Sequence, residues 1–215
     1  MPTSSLIRWS APLYFLGALG FAAFMIVSNG DFTGAELGLS TRHHLAHVSH
    51  FYASICFLFG VTGLYAYLRE KSGAFGLVAY IVAITGDALW VGTGVITAWV
   101  WRTISASAPQ LVSETGAFFN PPLPIIFVAT VGLTLGLVLL CLAGWRTKLL
   151  PRGAVTISLI GLFLVNMAPP AVARMLPAMA WAAVPYSVID VGAVLFLIGS
   201  SWIAAAVWKG AATAP

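Results

Sequence analysis

Six long apolar runs constrain this chain more than any other feature of its sequence. A bilayer core is about 30 Å thick, so a helix needs about 20 apolar residues to cross it. Only 7 % of the residues are charged, whereas a soluble domain carries about 25 %. We therefore predict an all-α polytopic membrane helical bundle that forms one integral-membrane domain over residues 1–215. The six predicted transmembrane spans are Ser10–Ser28, Ala46–Leu68, Ala74–Trp101, Leu123–Trp145, Ala154–Ala168 and Pro185–Trp208.

Basic residues are distributed unevenly between the connections of these spans. The positive-inside rule places the connections that are richer in Lys and Arg in the cytoplasm. We expect both termini to be cytoplasmic. We also expect the first run to be a retained span rather than a signal peptide, because no small-x-small cleavage site follows it. The bases assigned to the cytoplasmic side are Arg8, Arg69, Lys71, Arg146, Lys148, Arg152 and Lys209, which leaves Arg42, Arg102 and Arg174 outside.

All four histidines lie within eight residues, at the outer end of the second predicted span. On a helix His43, His47 and His50 have the spacing i, i+4, i+7 and share one face. His44 lies beside that face. Imidazole titrates nearest to neutral pH and is a common metal ligand.

Three interpretations of these histidines remain open. They are interfacial residues bonded to water and headgroups, or a proton-handling site, or the site of a transition metal or haem held by His43, His47 and His50. In the metal site, Asp31 or Glu36 is an alternative third ligand. Haem would need a methionine ligand or a second subunit, because all histidines are on one segment.

Two acidic residues fall inside predicted spans, where a charged side chain is costly and often functional. Asp87 lies near the middle of the third span and Asp190 just inside the outer end of the sixth. Polar groups must turn from lipid toward protein or water, so we predict an outward-facing polar pocket. Alternatively, Asp87 ties a break in a neighbouring backbone, and Asp190 lies in a first helical turn, where the helix dipole favours acids. The predicted ligand-binding residues are His47, His50, Asp87, Asn166 and Asp190.

Trp90 differs in its position from five of the other tryptophans. Trp90 lies deep in the third span, one turn from Asp87. If the chain is an enzyme acting on a lipophilic, isoprenoid-like substrate, Asp87 is its catalytic acid and Trp90 a wall of the pocket. The alternative is that Trp90 only packs in the core. The tryptophans that lie near predicted span boundaries and fit an interfacial aromatic belt are Trp9, Trp101, Trp145, Trp181 and Trp208.

Other functional classes find no support in the sequence. It contains no P-loop and no GxGxxG, HExxH or GxSxG motif. No stretch interleaves bases with aromatic residues in a polar context, so we expect no nucleic-acid partner. Cys56 and Cys141 lie in apolar runs, which predicts inert thiols rather than a disulfide or redox pair. Gly132 and Gly136 form a small-xxx-small pair that favours close helix packing, within the chain or between copies.

The stretch His50–Gly94 carries a likeness to known proteins. One helix ends in the sequence FGVTGLY at Phe59–Tyr65, and after a basic turn the next begins with GAFGL at Gly73–Leu77. This pattern resembles a group of uncharacterised bacterial multi-pass, six-helix inner-membrane proteins. The resemblance implies a helical protein of the bacterial inner (plasma) membrane and transfers no catalytic or binding residue.

From these features we expect binding or translocation of a small ligand or ion, or a supporting subunit role, through protonatable His and Asp groups. Two alternatives stay open: the intramembrane enzyme, and a metal- or haem-binding subunit of a membrane redox complex. The expected partners are the lipid bilayer and a homo-oligomer or larger membrane complex.

Overall fold

The structure, a computed structural model, describes residues 3–28, 35–113, 116, 124–167 and 186–212. Within these ranges the chain forms helices and contains no strand. The elements are α1 (Thr3–Ser28), α2 (Ala35–Leu39), α3 (Thr41–Val95), a π-helical segment (Ile96–Val100), α4 (Trp101–Ser107), a 3₁₀ helix (Pro109–Val112), α5 (Pro124–Thr147), α6 (Arg152–Met167) and α7 (Tyr186–Ala212).

Four helical stretches are long and apolar enough to cross a membrane, which indicates a membrane-embedded protein. Helix α6 is apolar but shorter. Every predicted span lies within these helices, apart from the end residues Leu123, Ala168 and Pro185, which lie outside the described residues. The four stretches are Ser5–Ser28, Thr41–Ser107, Val128–Thr147 and Ser187–Ala211.

Helix α3 folds back on itself at Gly73. The backbone there has φ 54° and ψ −143°, a region that residues with a Cβ atom avoid. The two arms, 41–72 and 74–95, run antiparallel, because Tyr65 stacks on Tyr80 with ring centroids 4.5 Å apart and Phe51 lies against Gly94. The two arms therefore form a helical hairpin. Its turn is a single residue, because the helix continues to the residue before Gly73.

Glycines allow the remaining helices to approach each other closely in antiparallel pairs. Helix α1 packs on the first arm of α3 and on α7, the second arm packs on α5, and α6 packs on α7. Gly132 and Gly136 lie against Gly86 and Ala83 of the second arm, so the small-xxx-small pair is used within the chain. The other contacts include Gly60 against Tyr14 and Gly161 against Phe196.

This packing gives the bundle two chemically different ends. One end, called the basic end here, holds the start of α1, the Gly73 turn, the α5–α6 turn and the end of α7. All seven bases assigned to one side from the sequence lie at this end. The opposite end, the histidine end, holds the end of α1 and the starts of α3 and α7. The charge asymmetry of the sequence is therefore an asymmetry of the folded molecule.

Candidate functional site

Three histidines form a buried row along the first arm of α3. His43, His47 and His50 have exposed fractions of 5 %, 1 % and 2 %, and they share one face, as their spacing predicts. Ser40 caps the helix by accepting a hydrogen bond from the backbone N–H of His43. The cap starts the helix early enough for all three side chains to project from regular helical positions. We call these three residues the histidine row.

His50 lies between two aromatic rings. Phe24 of α1 stacks on it with ring centroids 4.4 Å apart and an interplanar angle of 21°. Trp90 of the second arm meets it edge-on at 4.5 Å. Its Nδ1 atom is buried and has no hydrogen-bond partner among the described residues. A buried polar atom without a hydrogen-bond partner lowers the stability of the folded protein, so its retention in a native protein calls for a functional explanation.

Trp101 lies against the part of the row that is nearest the histidine end. Its ring centroid is 4.7 Å from that of His43 and 5.9 Å from that of His47. Its exposed fraction is 0 %, so the expectation that it belongs to an interfacial belt is wrong. The reason is that the helix continues through the π-helical segment into α4. This continuation turns the Trp101 indole toward the first arm. Gly38 of α2 also packs against this indole.

His44 has a different environment from the row. Its Nδ1 atom lies 2.9 Å from the carbonyl oxygen of Ala98. Because a carbonyl oxygen only accepts, Nδ1 carries the hydrogen and donates it. The bond joins the first arm of α3 to the π-helical segment that follows the second arm, so His44 has a structural partner.

Asp87 is fully buried in the second arm, with an exposed fraction of 0 %. Neither carboxyl oxygen has a hydrogen-bond partner among the described residues, so the alternative role of tying a backbone break has no support there. The contacts of Phe51 with Gly94 and of Tyr65 with Tyr80 place Asp87 opposite residues 55–58. It therefore lies roughly 10 Å deeper than His50 at 1.5 Å per residue.

Trp90 connects these two groups. It is one helical turn from Asp87 on the same face, and its ring reaches His50. The carboxyl group and the histidine row thus lie on facing arms, as the predicted pocket requires. They are separated along the helix axis by an indole.

The other two predicted ligand-binding residues take no part in the described contacts of the row. Asn166 accepts a hydrogen bond from the Thr134 hydroxyl at 3.2 Å, which joins α5 to α6. It also donates to the Leu162 carbonyl oxygen at 2.7 Å. Asp190 is half-buried on α7. Both lie at the histidine end on the α6–α7 side of α1, whereas Phe24 of α1 faces the row.

The described side chains do not favour a metal centre. No group of three or more His, Cys, Asp or Glu residues within the described ranges is arranged to hold one ion. Instead, the His43 and His47 rings lie edge-on at 4.2 Å among aromatic neighbours. Glu36 is exposed, and Asp31 lies outside the described residues. The metal or haem interpretation of His43, His47 and His50 stays a prediction from the sequence.

Sequence reasoning missed Phe24 and Trp101 as parts of this site. Phe24 is one apolar residue among many in α1, and nothing in its spacing distinguishes it. The spacing of Trp101 from Trp90, eleven residues or about three turns, was the available signal for a shared face.

Comparison with known proteins provides no relative. No family model, no curated protein and no solved structure matches the chain. The likeness noted for His50–Gly94 therefore stays a prediction, and the chemistry of the site carries the functional interpretation.

Proposed function

We propose that this chain is a six-pass protein of a bacterial inner membrane that binds and translocates an ion, and that the ion is the proton. In this proposal α1, each arm of α3, α5, α6 and α7 make one pass each. Helix α6 has 16 residues, about 24 Å at 1.5 Å per residue, so the bilayer thins locally beside it. The bases at the basic end orient that end, and with it both termini, toward the cytoplasm.

The histidine row provides the outer half of a proton path. The ring centroids of His43 and His47 are 4.2 Å apart, and those of His47 and His50 are 6.3 Å apart. A proton leaves a nitrogen of one imidazolium and binds a neutral nitrogen of the next ring, directly or through one bridging water. No bond between heavy atoms changes in this step.

Asp87 is the inner acceptor of the path. A carboxylate in hydrocarbon is costly, and intramembrane acids near histidines are typical of proton relays. The His50 imidazolium gives its proton through water to the Asp87 carboxylate, which becomes the neutral acid. The neutral acid then releases the proton to water on the side of the basic end, which regenerates the carboxylate. The Trp90 indole lies between the His50 imidazole and the Asp87 carboxyl group. The proton is therefore transferred only when water molecules connect the two groups past the indole.

The packing around His50 favours a proton over a larger ligand. The rings of Phe24 and Trp90 are in contact with the imidazole on two sides, which leaves no room between them for a small molecule. The same contact makes the enzyme alternative weaker, because an isoprenoid-like substrate needs an open chamber beside Asp87 and Trp90.

The observation that carries the proposal is the fully buried Asp87 carboxyl group, which has no hydrogen-bond partner among the described residues. It lies one helical turn from Trp90, whose ring contacts His50 of the histidine row. The test uses full-length protein in liposomes that contain a pH-sensitive dye, with a potassium diffusion potential as driving force. We expect proton influx above that of empty liposomes, and influx at the empty-liposome level for Asp87→Asn and His50→Gln.

His44→Gln is the matched control, because His44 is the histidine outside the row and is expected to keep the wild-type rate. A parallel assay with a sodium-sensitive dye tests another ion. If neither protons nor sodium ions enter the liposomes, the proposed translocation is refuted. Proton flux that is unchanged in Asp87→Asn would refute the assignment of the site.

A further inference from the structure

A second cluster lies at the basic end, where α1 and α7 meet. The guanidinium carbon of Arg8 is 4.3 Å from the ring centroid of Trp208. Trp9 meets the same indole edge-on, with centroids 5.8 Å apart and rings at 90°. Arg8 and Lys209 are exposed, and Trp9 is 64 % exposed. We call these four residues, Arg8, Trp9, Trp208 and Lys209, the α1–α7 seam.

The surroundings of the seam add positive charge. Gly210 packs against Tyr67, so the end of α7 lies beside the end of the first arm of α3. That arm carries Arg69 and Lys71, which are exposed, and one acid between them, Glu70. The local balance is therefore positive, and no acid of the described residues belongs to the seam itself.

We propose that the α1–α7 seam binds the phosphodiester headgroup of an anionic phospholipid. The cation–π contact holds the Arg8 guanidinium in place before the ligand arrives, and a guanidinium pairs with two phosphate oxygens at once. Lys209 supplies a second charge. This proposal does not depend on the ion proposed above.

The apolar part of the seam favours a lipid over free phosphate. Indole side chains prefer the boundary between headgroups and acyl chains, and exposed Trp9 has the exposed Leu6 nearby on the same helix. A lipid satisfies both halves of the seam, because its phosphate meets the cations while its acyl chain lies along the apolar side chains. A free phosphate uses only the cations.

The experiment is native mass spectrometry of the full-length protein in detergent with equal amounts of phosphatidylglycerol and phosphatidylcholine. We expect phosphatidylglycerol to be preferred. Since a cation near the membrane surface contributes about fivefold to the binding of anionic lipid, Arg8→Gln and Lys209→Gln should each lower the preference by about that factor. Arg8→Lys should retain more of the preference than Arg8→Gln.

Arg152→Gln is the matched control, since Arg152 is an exposed base of the same end but lies in α6. An equal loss in Arg152→Gln would overturn the proposal in favour of general attraction to the basic end. Competition by inorganic phosphate as effective as that by the lipid would also overturn it, as would an absence of preference in the wild type. If an Arg8 variant does not fold, Trp9→Ala, which changes an exposed side chain, tests the apolar part of the seam. It should lower the preference for phosphatidylglycerol.

Discussion

Asp87 and His50 both bury polar atoms that have no hydrogen-bond partner among the described residues. Such a group ordinarily costs about 1–3 kcal/mol of stability. An apolar residue would avoid this cost at either position. Their presence is explained if the proposed function requires groups that exchange protons, because a fixed partner would hold the proton in one place.

Replacing Asp87 by leucine should therefore stabilise the protein while abolishing proton flux. The expected gain is about 1–3 kcal/mol, since leucine has the same branched heavy-atom skeleton and removes the unpaired carboxyl oxygens. The measurement is the midpoint of unfolding in detergent, alongside the liposome assay. Asp190→Leu is the control and should change stability little, because Asp190 is half-buried. A strongly destabilised Asp87→Leu would assign the carboxyl group a structural role instead.

The sequence predicted part of the site. Residue spacing placed the histidine row on one face, and the cost of charge in lipid placed Asp87 in the interior. Trp101 was misassigned because proximity to a span boundary does not distinguish an indole at the lipid interface from one turned inward. Which rings lie against His50 depends on how helices pair, and apolar sequence carries little information about pairing.

At the level of secondary structure, the bundle depends on a few positions where two backbones touch. A Cβ atom at Gly86 would meet the backbone of Leu133 and Gly132, whereas Gly92, in the same arm, has nothing within 4 Å of such an atom. Backbone atoms cannot move aside as the end of a side chain does. The second arm and α5 therefore tolerate no added volume at this crossing.

Gly86→Ala should cost about 1–3 kcal/mol by overpacking. Gly92→Ala should be neutral or slightly stabilising, because alanine has the higher helix propensity. Unfolding midpoints of the two variants test this directly. Equal unfolding midpoints of Gly86→Ala and Gly92→Ala would show that α5 does not pack on the second arm as described.

Gly73→Ala should destabilise the hairpin for a different reason. No atom lies within 4 Å of an added Cβ, so the cost is conformational strain at φ 54°, about 1–3 kcal/mol. Proteolysis at the turn, measured against Gly92→Ala, should become faster. An unchanged cleavage rate would mean that the turn adopts an ordinary backbone geometry.

The element boundaries show where sequence reasoning stops. Apolar length predicted the helices because hydrocarbon requires internal backbone hydrogen bonding. It did not predict that α1, α3 and α7 continue beyond their apolar runs, because helices also continue into the interface where capping and packing allow. The single-residue turn at Gly73 was hidden because residues 69–72 are polar and look like a loop.

For the whole molecule, the separation of the bases from the histidines predicts a single orientation in the membrane. In a Cys56→Ala, Cys141→Ala background, a cysteine at position 42 should react with a membrane-impermeant maleimide in intact cells. A cysteine at position 71 should react only after lysis, because the positive-inside rule predicts that the basic end faces the cytoplasm. Both native positions, Arg42 and Lys71, are exposed. The reverse pattern of labelling would invert the orientation.

The π-helical segment Ile96–Val100 fixes how Trp101 meets the first arm. Deleting one residue there would turn everything that follows by about 100° around the helix axis and would swing the indole away from His43. Exchanging one apolar residue for another would leave that angle unchanged. Over evolutionary time this segment should accept substitutions far more readily than insertions or deletions. Its length is therefore under tighter constraint than the identity of its residues.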